Sequence, residues 1–125
     1  MKITIIGAGS PYTPELIGKL AEEQSIMPVD EICLMDIDTK KLDIMHGFCI
    51  RYSSRIGLKA NITKTSDRYR ALEGASFVNT KIRVGGNEMR VKDERIPLSY
   101  GLIGQETTGA GGFAKALRTI PVMID

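Results

Sequence analysis

The apolar positions along this chain alternate between two periods. Lys2–Ile6 is an isoleucine-rich run cut off by Gly7. A short continuous apolar run ended by a turn residue reads as a strand covered on both faces. Gly7-Ala-Gly-Ser-Pro11 is a turn, after which Leu16, Ile17, Leu20 and Ala21 recur at helical spacing. Thr13 is positioned to cap that helix, with Pro14 at its first position, where a missing N–H is tolerated. Pro28 ends the segment. Glu31–Met35 predicts a second strand with Asp36 at its carboxyl end. Asp38 or Thr39 caps a long second helix whose apolar face is Leu42, Met45, Phe48, Cys49 and Tyr52, and Gly57 closes it as a C-terminal glycine. A third strand is predicted over Asn61–Thr65, a short helix over Asp67–Leu72 ending at Gly74, and a fourth strand over Ser76–Val84 ending in Gly85-Gly86.

The order β-α-β-α-β-α-β, with crossovers long enough for parallel connections, predicts an α/β fold: a Rossmann-like, doubly wound parallel sheet. Beyond Gly86 the character changes. Asn87–Tyr100 is charged and helical in part, and Gly101–Gly112 is a loop rich in glycine and threonine. Phe113–Asp125 opens a helix with Phe113, Leu117, Ile120 and Ile124 on one face. The expectation is a single, incomplete domain over 1–125, the N-terminal portion of a larger enzyme.

Composition narrows the function. The 125 residues suit one domain, and 42% hydrophobic with 26% charged residues is close to the soluble globular average. The net charge is only +2, and basic residues alternate with acidic ones, as in Lys92-Asp93-Glu94-Arg95. No nucleic-acid footprint is therefore expected. The N-terminal apolar run is too short for a signal peptide, and nothing approaches a membrane span. Cys33 and Cys49 lack metal-like spacing and read as buried free thiols of a cytoplasmic protein, although the sequence leaves a bridge between them open.

The strongest chemical signal is Gly7 and Gly9, directly between the first strand and the first helix. Glycines there permit a tight turn and let a pyrophosphate approach the main chain, while the helix start attracts its charge. Ser10 adds a hydroxyl and Pro11 completes the loop. The third glycine of the usual fingerprint falls at Tyr12, which implies a wider turn with the ring facing a cofactor or cleft. Asp36 lies where a carboxylate accepts bonds from an adenosine ribose and repels a 2′-phosphate, favouring NAD over NADP. The alternative role for Asp36 is a helix cap, for which Asp38 and Thr39 compete, and the neighbouring Lys40 and Lys41 leave NADP open. Arg83, Val84 and Gly85 close the fourth strand at the sheet's carboxyl edge, where ligands bind in such folds. His46, the only histidine, reads as a surface or boundary residue, and the methionines as core filler.

Several longer motifs add to this. They are Ile82-Arg-Val-Gly-Gly86, Lys92-Asp-Glu-Arg-Ile-Pro-Leu98, Tyr100-Gly-Leu-Ile-Gly-Gln-Glu-Thr-Thr-Gly109, Gly111-Gly-Phe113 and Ala116-Leu-Arg-Thr-Ile-Pro121. Together with Gly7-Ala-Gly-Ser-Pro-Tyr12 they closely resemble glycoside hydrolase family four, and within it the 6-phospho-β-glucosidase branch. The resemblance spans the whole chain. It implies an NAD-dependent exception to two-carboxylate glycosidase chemistry. In that chemistry the sugar C3 hydroxyl is oxidised by hydride abstraction, the C2 proton is removed beside a divalent metal such as manganese, the aglycone leaves, water adds, and the hydride returns.

By the resemblance, Gly7, Gly9, Ser10 and Pro11 belong to the pyrophosphate loop and Asp36 is the ribose-binding acid. Arg83, Val84 and Gly85 flank the cofactor. Arg95 is a substrate-binding arginine, whose guanidinium suits a sugar phosphate, against the plainer reading of an ion pair with Asp93 or Glu94. Gln105–Thr108 resemble a loop near the sugar and nicotinamide. The family's catalytic tyrosine and its metal-binding cysteine and histidine have no counterpart here, so no catalytic or metal-binding residue is expected in this chain. The implied partner is a phosphorylated disaccharide or β-glucoside, and the implied assembly of the full-length enzyme is a homo-oligomer. The competing expectations are an α-specific or galactose-type relative, a stand-alone nucleotide-binding module without catalysis, and a hydroxyacid dehydrogenase.

Overall fold

A computed structural model describes residues 1–124. They divide into two compact units, Met1–Ile82 and Arg83 onward. The first unit holds β1 (Lys2–Ile6), α1 (Thr13–Glu22), β2 (Glu31–Met35), α2 (Thr39–Ile56), β3 (Asn61–Thr65), α3 (Arg68–Leu72) and β4 (Phe77–Thr80). All the pairings are parallel, in the order β3-β2-β1-β4. The chain steps outward from β1 to β3, then crosses back to the far side of β1. Right-handed crossovers put the helices of these two excursions on opposite faces.

Side-chain alternation along the strands confirms this. Ile5, Ile32 and Leu34 pack in one core with Ile17 of α1 and Leu42 and Cys49 of α2. Cys33 and Met35 face the other way, against Ala71 of α3. Thr4, on that second face, donates its hydroxyl to Ala71 O at 2.6 Å, which removes the penalty of burying it. Ile5, Ile17, Ile32 and Leu34 are among the largest fully buried side chains, each stabilising the fold by about 1.5–3 kcal/mol. The sheet is the expected doubly wound, Rossmann-like one.

Several boundaries differ from the expectations. β4 ends at Thr80 rather than Val84, because its partner β1 ends at Ile6; the last ladder bond runs from Lys81 N–H to Ile6 O at 2.7 Å. Thr13 does not cap α1. Tyr12 occupies the cap position without a side-chain bond, and Thr13, the first helical residue, donates its hydroxyl to Ala8 O at 2.9 Å. α1 ends at Glu22, well before Pro28, and turns fill the gap. On α2 the expected face is buried at Leu42 and Cys49, but Phe48 stays 45% exposed and stacks on Tyr52. Asp38 caps α2, accepting from Lys41 N–H, and Gly57 closes it in the left-handed conformation. β4 is an edge strand, with Phe77 and Val78 exposed.

The second unit is helical throughout its regular structure: α4 (Gly86–Ser99) and α5 (Gly109–Ile124). The charged stretch forms one helix, and the glycine-rich loop shortens because α5 begins at Gly109 rather than Phe113. Gly111 is buried there and has to be glycine, because a Cβ would strike the carbonyls of Gln105 and Asp93. The fastening residue is Arg118. Its Nε donates to Val84 O at 2.8 Å, and its two terminal nitrogens donate to the Asp93 carboxylate at 3.1 and 2.6 Å. Phe113, Leu117, Ile120 and Ile124 form the expected apolar row, all of them exposed.

Candidate functional site

The carboxyl ends of β1 and β2 build one site. Gly7 follows β1 with φ 82°, and a Cβ there would stand 2.6 Å from Lys81 O, so both the turn and the neighbouring main chain require glycine. The N–H groups of Gly7 and Ala8 both donate to Met35 O at 2.9 Å, tying the loop to the end of β2. Gly9 N–H donates to Asp36 Oδ2 at 2.8 Å. A Cβ on Gly9 would lie 2.8 Å from that oxygen and 2.9 Å from Lys41 Cβ. Gly9 is therefore glycine because a carboxylate presses against it. Ser10 N–H turns back to Gly7 O at 3.2 Å, and Ser10 Oγ accepts from Tyr12 N–H at 3.3 Å. Pro11 carries no N–H and is exposed. The Tyr12 ring is 68% exposed, and its backbone is right-handed helical, so the absent third glycine costs no strain.

Asp36 is half-buried, and its other oxygen, Oδ1, accepts from Asp38 N–H at 2.9 Å. The helix-cap alternative does not hold, because Asp38 performs that task. Asp38 also holds the Lys41 ammonium at 3.1 Å, and the Lys41 backbone and side-chain bonds keep the Asp38 carboxyl below the usual range. Among the described residues Asp36 is thus fixed by two backbone donors alone. A carboxylate oxygen offers about two acceptor positions, so each oxygen of Asp36 keeps one for an incoming hydroxyl. A vicinal diol matches that pair.

Lys81, which the sequence pattern hid inside the expected fourth strand, also belongs here. Its ammonium donates to Tyr12 O at 3.1 Å, at the start of α1. Burial lowers its pKa from the ordinary lysine value, partly offset by the Glu15 charge. The only available signal was a lone cation directly after an uncharged edge strand.

Thus Gly7, Gly9, Ser10, Pro11 and Asp36 come together in the first unit, whereas Arg83, Val84, Gly85 and Arg95 belong to the second. The Arg83 guanidinium donates to Asn87 Oδ1 at 2.8 Å and Glu106 Oε1 at 3.4 Å. Val84 O receives Arg118, and Gly85 caps α4 at φ 83°. Arg95 is exposed on α4. The carboxylates considered as its partners pair elsewhere, Asp93 with Arg118 and Glu94 with Arg90. Arg118 also holds the Asp93 carboxyl below its usual range, through the hydrogen bond first and charge second. The Asp93–Arg118 pair was not legible locally, because its halves stand on different helices. Cys33 and Cys49 are buried free thiols, and His46 Nε2 contacts Ile62 O at 3.2 Å. Among the described residues no group of three His, Cys, Asp or Glu side chains could hold a metal. No helix among them is long and apolar enough to cross a membrane.

The sequence model of the family described as family 4 glycosyl hydrolase matches residues 2–125. The chain belongs to that family. Among curated relatives, it is 47% identical to the 6-phospho-beta-glucosidase of Escherichia coli (strain K12), over 100% of this chain and 28% of that protein. Among solved structures, the Thermotoga maritima 6-phospho-beta glucosidase with NAD and glucose-6-phosphate superposes with a TM-score of 0.93 at 40% identity. That match covers 99% of this chain and 29% of that one. A 6-phospho-alpha-glucosidase from gut microorganisms in complex with NAD and Mn2+ gives 0.91 at 35% identity, over 98% of this chain and 28% of that one. The family match thus extends over both units, while the chain spans under a third of these relatives.

Proposed function

We propose that this chain is the NAD-binding part of a 6-phospho-β-glucosidase. The observation that carries the reading is Asp36, held against Gly9 with one acceptor position open on each oxygen. In this reading Asp36 takes the two hydroxyls of the adenosine ribose, and its charge turns away a 2′-phosphate. Gly7, Gly9, Ser10 and Pro11 form the cradle for the pyrophosphate, with the Ser10 hydroxyl as donor. Arg83, Val84 and Gly85 contribute to cofactor binding, and Arg95, exposed and without a carboxylate partner among the described residues, binds the sugar phosphate. Bound NAD supplies a hydride acceptor for the sugar and later gives the hydride back. A divalent metal, manganese in the gut relative, is part of the same reading. The described residues offer it no ligand set. The substrate is a phosphorylated β-glucoside, and the enzyme is a cytoplasmic homo-oligomer.

The β preference is supported by identity: 47% and 40% to the two β-specific relatives against 35% to the α-specific one. Calorimetry with NAD+, NADP+ and the Asp36→Ala variant tests the cofactor reading. Saturable NAD+ binding, lost in the variant and not matched by NADP+, supports it; equal binding of both cofactors overturns it. Turnover of 6-phospho-β- against 6-phospho-α-glucosides by the protein as its gene encodes it, with NAD+ and Mn2+, decides the anomer. There Arg95→Gln raises KM for phosphorylated substrates without altering NAD+ affinity.

A further inference from the structure

The glycine loop presents few free donors. Gly7 and Ala8 N–H are bound to Met35 O, Gly9 N–H to Asp36, Ser10 N–H to Gly7 O and Tyr12 N–H to Ser10 Oγ, while Pro11 has none. A pyrophosphate carries two negative charges that these amides do not answer. The cation at hand is Lys81. Its ammonium stands at the first carbonyl of the α1 cap, forms no ion pair among the described residues, and is half-buried. A positive charge beside a helix N-terminus is unfavourable on its own, since the helix dipole places positive charge there as well. Glu15 in the first turn offsets part of this. An anion between the ammonium and the helix start satisfies both.

We propose that Lys81 is the phosphate-binding cation of this site: on cofactor binding its ammonium leaves Tyr12 O and takes a pyrophosphate oxygen. The inference rests on the dinucleotide reading above and adds to it a residue outside the glycine motif. The exchange is favourable in kind, because the ammonium gives up a neutral carbonyl for an anionic acceptor and gains the attraction of opposite charges. Lysine also suits the task as a point charge on a flexible stem, free to swing between two acceptors.

The test separates charge from scaffold by comparing two ligands that differ only in phosphate, adenosine and ADP. Titrations of the wild-type protein, Lys81→Gln and Lys81→Arg are run at low and high salt. ADP affinity is expected to fall about tenfold in Lys81→Gln, with adenosine affinity unchanged, partial rescue in Lys81→Arg, and a shallower salt dependence for ADP. Equal losses for both ligands mean that Lys81 only supports the loop, and unchanged ADP binding means that it does not reach the phosphates. Either result overturns the inference while leaving the dinucleotide reading intact. A wild-type protein that binds neither ligand overturns both. A second measurement needs no variant: acetylation of Lys81, followed by mass spectrometry, is slowed by ADP but not by adenosine. Equal rates with the two ligands refute the proposal.

Discussion

Gly7 and Gly57 both hold a positive φ, 82° and 72°, yet alanine at the two positions should behave differently. A Cβ at Gly57 meets nothing within 4 Å, whereas a Cβ at Gly7 stands 2.6 Å from Lys81 O and 2.8 Å from its carbonyl carbon. The left-handed conformation costs an L-residue about 1–2 kcal/mol. That is the whole expected effect of Gly57→Ala. Gly7→Ala bears the same cost plus overpacking against main chain, about 1–3 kcal/mol more. This backbone cannot yield easily, because Lys81 N–H anchors β4 to β1. The sum is roughly 2–5 kcal/mol for Gly7→Ala. Urea unfolding followed by circular dichroism measures both variants. A gap of at least about 1 kcal/mol, or roughly 4–8 °C in Tm for a unit of this size, is the expected result. Equal destabilisation by the two substitutions would refute the steric argument and leave only the backbone conformation.

The other perturbations separate binding from packing. Gly9→Ala carries no positive φ and acts by driving the Asp36 carboxylate off the loop; NAD+ affinity should fall by tenfold or more while unfolding changes by about 1–3 kcal/mol, as calorimetry beside a urea melt would show. The folded pKa of Asp93 is lowered by Arg118, so its stabilising effect is present above about pH 4 and is lost as pH falls through the folded value. Protection factors of α4 and α5 amides, taken relative to the slower intrinsic exchange in acid, should fall on acidification in the wild type and respond less in Asp93→Asn. Burial pushes the Cys49 thiol up to about 11, so the fold favours the neutral form. That stability is present below pH 9 and declines as pH rises towards 11, and at pH 9 a thiol reagent should label Cys49 in urea but not in the native protein.

How far the sequence showed this fold depends on whether the information was local. The limits of β1, β2 and β3 followed from short apolar runs ended by turn residues and the stop at Gly57 from its own chemistry, while the α2 cap stayed open between Asp38 and Thr39 until the structure gave it to Asp38. β4 was overextended because Ile82 and Val84 continue the alternation, while the end of a strand is set by its partner, here Ile6 of β1. Thr13 has a capping side chain, but its hydroxyl reaches Ala8 O instead, which depends on how the loop folds back. Gly7, Gly9 and Asp36 were legible because strand, turn and helix order bring them together. Asp93 was not, since it sits in a charged run that reads as solvated, yet it is only 5% exposed and answered by Arg118. In the sequence Lys81 falls inside the expected fourth strand, and only the fold brings its ammonium to the start of α1.

The site's readiness follows from its bonding. The two bonds that fix Asp36 both come from backbone N–H groups of rigid segments, the loop after β1 and the entry to α2. In the proposed reading a ribose that uses the remaining acceptor positions leaves both bonds in place, so the diol side needs little further ordering. The phosphate side differs, because Lys81 has to exchange one acceptor for another. Adenosine recognition should therefore change little with salt, whereas the phosphate increment should carry the electrostatic, salt-sensitive part. If both proposals hold, discrimination of NAD from NADP rests on Asp36 and the strength of attachment on Lys81, and the two properties are separable by substitution in one small loop region.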